Sequence, residues 1–239
     1  DRLLGNRHLQ HESRGIYTAL GRMLLNGVAE PLIVVDWSDL KEDQSLHLLR
    51  ASVPVGGRSL TLYEEVHPQR HLGNRRVQHQ FLRRLAALIP ATATPIIVAD
   101  SGFKVPFYRE VERLGWRWVG RVRGRDLVKL KRRWRSCKRL FEQATMTPRS
   151  LGIGAWVRSN PLPATFVLVR LPKQGRRANT ASGKRARSKK SQQAARAARE
   201  PWLLVASTRL AEWPAKRLMR VYRQRMQIEL SFRDMKSQH

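Results

Sequence analysis

Four residues near the end of the chain, Tyr222, Arg225, Glu229 and Lys236, have the types and spacing to hold a metal ion and grip phosphates together. On one continuous α-helix their steps of three, four and seven keep the side chains within an arc of about 60°. A carboxylate on that stripe can ligate a hard cation, while a phenol and two cations beside it can donate to phosphate oxygens. Arg225 and Glu229 by themselves are equally a surface i,i+4 ion pair, worth about a few tenths of a kcal/mol. Two further acids change the balance. Asp36 and Asp100 each close a short apolar run, Pro31-Leu32-Ile33-Val34-Val35-Asp36 and Pro95-Ile96-Ile97-Val98-Ala99-Asp100. Such runs read as strands buried on both faces of a mixed α/β sheet. An acid at the end of one emerges at the sheet edge where sites on these folds form. Three carboxylates from separate elements suit Mg²⁺, and two such ions about 4 Å apart can activate a nucleophile and stabilise the leaving oxygen of a phosphodiester. Asp39 competes with Asp36, and spacing alone leaves both open.

Composition narrows the partner. Lys and Arg number 47 against 18 acids, a formal net charge of +29, so a polyanion is expected, and nucleic acid sooner than an anionic membrane. No apolar run is long enough to span a bilayer and no signal peptide is visible, and the lone Cys137 fits a reducing cytoplasm. Cys137 is the single cysteine, which excludes a disulfide framework and a Cys-rich zinc site. His67, His71 and His79 have no partnering Cys or acidic pattern of the kind a zinc site uses. The 239 residues suffice for one good core with an inserted subdomain. Because the chain begins at Asp1 and stops soon after its most telling helix, it reads as a piece of a longer protein.

The elements that must position these residues are visible as periodicities. A helix is expected up to Gly27, with Ile16, Leu20, Met23 and Leu24 on one side. After the first acid-ending strand, Leu46–Val55 and Arg58–Val66 read as strands joined by a Gly56-Gly57 turn. Val77–Ile89 reads as an amphipathic helix burying Phe81, Leu85 and Leu88. The second acid-ending strand, a short helix over Pro106–Leu114 and a strand over Trp116–Val122 follow. Residues 123–201 differ in character, with a basic cluster at Lys131–Arg139, a strand at Thr165–Leu171, and an Arg/Lys/Ala/Ser-rich stretch from Lys173 to Arg199. That stretch has too little apolar surface to offset its ordering entropy and is expected to be mobile until it meets phosphate. Trp202–Ala206 is a strand, and from Pro214 an uninterrupted helix is predicted over Ala215–His239, with Val221, Ile228, Phe232 and Met235 as its apolar stripe.

Three segments together carry a resemblance: Val35-Asp36-Trp37-Ser38-Asp39, Ala99-Asp100-Ser101-Gly102-Phe103-Lys104-Val105-Pro106, and Tyr222-x2-Arg225-x3-Glu229-x6-Lys236. The chain resembles the DDE transposases of the bacterial insertion-sequence-four family, nearest to the transposon-ten branch. The likeness runs from Asp1-Arg2-Leu3-Leu4-Gly5-Asn6 to Phe232-Arg233-Asp234 and is weakest in the basic stretch. It implies an RNase H-like α/β fold with a β-rich basic insertion before the last catalytic helix. The corresponding division is a helical linker at 1–30, the catalytic core at 31–122, the insertion at 123–201, and the core's last strand and Glu-bearing helix at 202–239. By the same resemblance Asp36, Asp100 and Glu229 form the catalytic, metal-binding triad, which decides against Asp39. Two Mg²⁺ ions are implied, with Mn²⁺ able to substitute. Tyr222, Arg225 and Lys236 would hold DNA phosphates, and Trp202 matches the position of a Trp that stacks a flipped base during hairpin formation. The implied reaction is cut-and-paste transposition on double-stranded DNA: nicking, hairpin formation and opening, and joining of the 3′-hydroxyl to target DNA. The implied setting is a dimer on paired ends, associated with the bacterial nucleoid. Relatives begin with a separate DNA-binding region and continue past the Lys with subunit-pairing helices, which these residues do not include. Two other readings stay open: an inactive, domesticated DNA-binding protein, and a nuclease of the same fold without strand transfer.

Overall fold

Apolar side chains at Ile33, Val34, Val35, Ile96, Ile97 and Val98 are almost completely buried, and β-branched residues of this kind favour a pleated strand enclosed on both faces. They form β1 (Leu32–Asp39) and β4 (Ile96–Ala99), which pair in parallel from Leu32 opposite Ile96 to Val35 opposite Ala99. The computed structural model describes residues 6–124, 126–172, 187–189, 192, 195 and 199–236, and of Arg7, Gln10 and Lys236 the backbone alone. The chain divides into two compact units, Asp1–Gly120 with Arg220–His239, and Arg121–Met219.

In the first unit the sheet order is β3-β2-β1-β4-β5. Strand β2 (Leu46–Val55) runs antiparallel to β1 and to β3 (Arg58–Pro68), and β5 (Arg117–Val122) runs parallel to β4. Three antiparallel strands followed by two parallel ones, flanked by helices, are the RNase H-like arrangement. The β2–β3 turn places Gly56 at φ 59° and Gly57 at φ 104°, a conformation that glycine adopts without strain. Helices α1 (Arg7–Leu25), α2 (Arg75–Ala86) and α3 (Val105–Arg113) begin at Asn6, Asn74 and Lys104. The first two of these caps accept backbone N–H bonds through the Asn side chain, which satisfies orphan donors of the first turn. The buried side of α1 differs from the predicted one. Met23 is 69% exposed and Ile16 42%, because the helix turns Gly21 and Leu25 inward instead. A Cβ on Gly21 would lie 2.7 Å from the carbonyl oxygen of Leu88.

The final helix also differs. In place of one run there are two, α5 (Ala215–Arg223) and α6 (Met226–Lys236), with a turn at Gln224 and Arg225. Here the amide bonds tighten to i→i−3: Gln224 N–H to Val221 O, Arg225 N–H to Tyr222 O, Gln227 N–H to Gln224 O and Ile228 N–H to Arg225 O. The cause is tertiary, since no Gly or Pro lies nearby. Helix α6 is lashed to the β2–β3 hairpin: Gly57 N–H donates to Gln227 Oε1 at 3.1 Å, Ser59 N–H donates to Ser231 Oγ at 3.0 Å, and Arg58 pairs with Asp234.

The second unit is antiparallel throughout, in the order β10-β9-β8-β6-β7. Its described elements are β6 (Leu127–Leu130), β7 (Arg133–Ser136), the short helix α4 (Cys137–Phe141), β8 (Arg149–Trp156), β9 (Leu162–Val169) and β10 (Trp202–Ala206). Val128, Trp156, Phe166 and Leu204 form its core. Gly154 is required where β8 pairs with β6, because a Cβ there would run into the Lys129 carbonyl oxygen. Cys137 is fully buried, and burial, with Asp126 and Glu200 nearby, pushes its thiol up to about 11. Most of the basic stretch from Lys173 to Arg199 lies outside the described residues. No helix among the described residues is long and apolar enough to cross a membrane.

Candidate functional site

Val35 and Ala99 are the last residues paired between β1 and β4, so Asp36 and Asp100 come next on two adjacent parallel strands. On its other side β1 continues past the predicted end, with Asp36 opposite Arg50 and Asp39 opposite His47 on β2. The sheet therefore opens beside Asp36 on the β4 side alone. There Asp36 is 8% exposed, and its Oδ1 accepts the Trp37 N–H at 2.9 Å. Asp100 leaves the sheet in a tight turn in which its Oδ1 accepts the Gly102 N–H at 2.7 Å. The hydroxyl of the buried Tyr108, on α3, reaches the carbonyl oxygens of Ala99 and Asp100 at 3.5 and 3.4 Å.

The third acid arrives on α6. Ile228 and Phe232 are buried, and Phe232 lies under the Arg50 guanidinium at 5.0 Å. That packing leaves Glu229 on the open side of the helix. Asp36, Asp100 and Glu229 thus line one open cleft of about 430 Å³, together with Trp37, Ser38, Phe232 and Arg233. Between two of the acids stands Arg225, whose Nη1 donates to Asp36 Oδ2 at 3.2 Å and to Glu229 Oε1 at 2.6 Å. The Arg225 Nε is buried with no hydrogen-bond partner among the described residues. Tyr222, 2% exposed, lies with its ring 5.8 Å from that guanidinium.

Burial, then the charge of Asp100, and more weakly that of Glu229, push the Asp36 carboxyl up to about 7 against the opposing pull of Arg225 and the Trp37 N–H. For Arg225 desolvation works against the charge, but Tyr222, Asp36 and Glu229 outweigh it and raise the guanidinium above its ordinary value. Crowding of hard oxygen donors at this strength is what a divalent cation relieves, so the donor set fits such an ion chemically. In the arrangement present, with Arg225 interposed, no three acidic, His or Cys side chains among the described residues are grouped closely enough to hold one.

The other residues singled out by sequence are placed as follows. Asp39 lies 3.0 Å from the His47 ring and accepts a bond from Gln44. His67 contacts His71 at 3.3 Å and Glu65 at 2.9 Å, and His79 faces the Pro106 carbonyl. Trp202 is half-buried at the start of β10 in the second unit, with the Arg121 guanidinium 5.6 Å from its ring. Lys236 ends α6, and its side chain lies outside the described residues. Two cations near the acids have no place in the sequence reading, one at the cleft and one beside it on β2. Arg233 lines the cleft, and its spacing of four from Glu229 was a usable signal. Arg50, held to Glu64 at 2.7 Å, had none, because only the β1–β2 register sets it opposite Asp36.

Gly102 supplies a test of the turn. A Cβ there would lie 2.8 Å from Asp100 Oδ1, and a carboxylate can swing away from it. Gly102→Ala is therefore expected to leave thermal stability within about 1 kcal/mol of the parent while weakening Mn²⁺ binding by about tenfold or more. Unchanged Mn²⁺ affinity by calorimetry would show that this turn does not set the Asp100 carboxylate.

A family model for the transposase DDE domain matches residues 29–239. No curated protein matches the sequence. Among solved structures the chain is similar to a piggyBac transposase in a synaptic complex with hairpin DNA, with a TM-score of 0.47 and 10% identity. That likeness covers 87% of this chain, which spans 40% of the length of the solved one. The family match takes in both acid-bearing strands, the antiparallel second unit and the helix of Glu229, and over that length the chain belongs to the transposase DDE domain family.

Proposed function

We propose that this chain is the catalytic part of a metal-dependent transposase that cuts DNA at the ends of its element and joins the freed 3′-hydroxyl to target DNA. The observation that carries the reading is the meeting of Asp36, Asp100 and Glu229, from three separate elements, in one open cleft. These carboxylates would hold divalent ions, Mg²⁺ with Mn²⁺ as a substitute. A bound ion of this kind polarises a phosphodiester and lowers the pKa of an attacking hydroxyl. The chain's own task is to place the scissile phosphate among the acids. Arg225 and Arg233 are suited to donate to backbone phosphates at the cleft, and the resemblance gives Tyr222 and Lys236 the same task, the buried Tyr222 ring standing beside Arg225. The net charge of +29 supports affinity for DNA that falls steeply with salt.

The resemblance to the insertion-sequence-four family, and to its transposon-ten branch, supports a finer reading. In it the ends are released by cut-and-paste through a hairpin, with Trp202 stacking the flipped base. The insertion at 123–201 acts as a DNA-facing subdomain, and two copies work on paired ends in a bacterial cytoplasm. The test is a labelled duplex carrying the element's end, incubated with the chain, Mg²⁺ and a plasmid target. Joined product is the expected outcome. Hydrolysed ends without joining would assign a nuclease, and retention of DNA without cutting would assign a binding protein.

A further inference from the structure

We infer that Arg225 is a tethered counter-ion that neutralises Asp36 and Glu229 until a divalent ion takes them, and that this exchange frees its guanidinium for a DNA phosphate. The inference rests on the triad reading above and adds a coupling between filling the site and gripping DNA. Its basis is geometric. A single nitrogen, Nη1, bridges the two acids at 3.2 and 2.6 Å. The rest of the guanidinium is poorly used: Nε is buried without a partner among the described residues, and Nη2 has a long 3.8 Å contact with Met226 Sδ. A side chain bound for structure alone would spread its five donors over good acceptors. This one is held by charge, at a point where three carboxylates face one cleft.

The backbone is suited to letting it go. Arg225 sits in the turn between α5 and α6, where the bonds are of the tighter i→i−3 kind, and such interruptions are common places for a helix pair to adjust. An ion that binds Asp36 and Glu229 competes with the guanidinium for the same oxygens. Its apparent affinity is then lowered by the fraction of molecules in which the bridge is closed. Each acid the ion wins releases one donor from Arg225. Metal binding and phosphate binding then reinforce each other, as linkage requires when one occupant displaces a group that the other ligand needs.

The experiment uses the chain without DNA, with MnCl2 as the probe, comparing wild type, Arg225→Gln and Arg225→Lys by calorimetry and by thermal unfolding. If the bridge is closed in about nine molecules of ten, Arg225→Gln binds Mn²⁺ about tenfold more tightly. Its Tm lies below wild type in EDTA, and the gap closes at saturating Mn²⁺, because the loaded wild type no longer uses the bridge. Arg225→Lys, with a shorter and single-pointed cation, is expected between the two. Should Arg225→Gln fail to fold, the Lys variant carries the comparison alone. Weaker or unchanged Mn²⁺ binding in the variants, or a Tm gap that persists at saturation, overturns the exchange and makes Arg225 a structural clamp. If wild type binds no Mn²⁺ at all, the triad reading itself falls and takes this inference with it.

Discussion

Asp100→Asn is expected to lower metal-dependent nicking by more than about 100-fold, since changes merely in the outer shell of a metal site already cost 10- to 100-fold. The substitution is isosteric, and the amide oxygen can still accept the Gly102 N–H that shapes the turn, so folding should survive. Electrostatics add a second, opposite effect. The charge of Asp100 is the second-largest cause, after burial, that raises Asp36, and removing it relieves that repulsion. In EDTA near pH 8 the variant should therefore melt at or above the wild-type temperature. Divalent ions should reverse the order: at about ten times Kd a ligand specific for the folded state adds about 1.4 kcal/mol, and the variant forfeits most of that. Nicking rates with Mg²⁺ and melting curves with and without Mn²⁺ check both halves. A variant that nicks as fast as wild type would remove Asp100 from the site.

Gly120→Ala is expected to be the most damaging small substitution in the first unit. The added Cβ would lie 2.3 Å from the Tyr108 hydroxyl and 2.8 Å from its Cζ. Tyr108 has no room to retreat. Its ring lies 4.4 Å from Trp118 and 5.3 Å from Phe107, and its hydroxyl faces the carbonyl oxygens on either side of the Ala99–Asp100 bond. Overpacking of this kind costs about 1–3 kcal/mol, or roughly 2–12 °C in Tm for a chain of this size. The strain is delivered to the strand end that carries the second acid, so nicking should fall as well. Tyr108→Phe in the Gly120→Ala background removes the closest clashing atom and should restore part of the lost stability. A single variant that melts within about 1 °C of wild type would mean that β5 shifts freely, and that Tyr108 is not wedged.

The features legible in the sequence were those with a local cause. The Gly56-Gly57 turn and the alternation around it located β2 and β3 closely, and the apolar run at Trp202–Ala206 matched β10 at both ends. The bend at Gln224 and Arg225 was illegible because no residue there breaks a helix. It follows from ties between α6 and a hairpin some 170 positions away. Strands β7 and β8 of the second unit were hidden for another reason. Strand β7, Arg133–Ser136, carries two arginines in four residues, and β8 contains Gly152 and Gly154, so neither shows an apolar rhythm. At the cleft the residue types were readable, and the i,i+4 spacing of Arg225 and Glu229 matches their ion pair, although Arg225 lies in the turn ahead of the helix that carries Glu229. Sequence spacing showed Arg225 as a partner of Glu229. Its bond to Asp36 depends on the fold.

That bond joins positions 189 residues apart, and closing so long a loop costs more entropy than a local contact does. Synthesis proceeds from the N-terminus, so both acid-bearing strands leave the ribosome long before Glu229 is added. A copy that ends between Asp100 and Glu229 carries two of the three carboxylates and lacks the residue that completes the cleft. On the proposed reading, such a copy cannot cut DNA. The chain order thus makes cutting conditional on synthesis reaching α6, the last of the three elements that bear the acids.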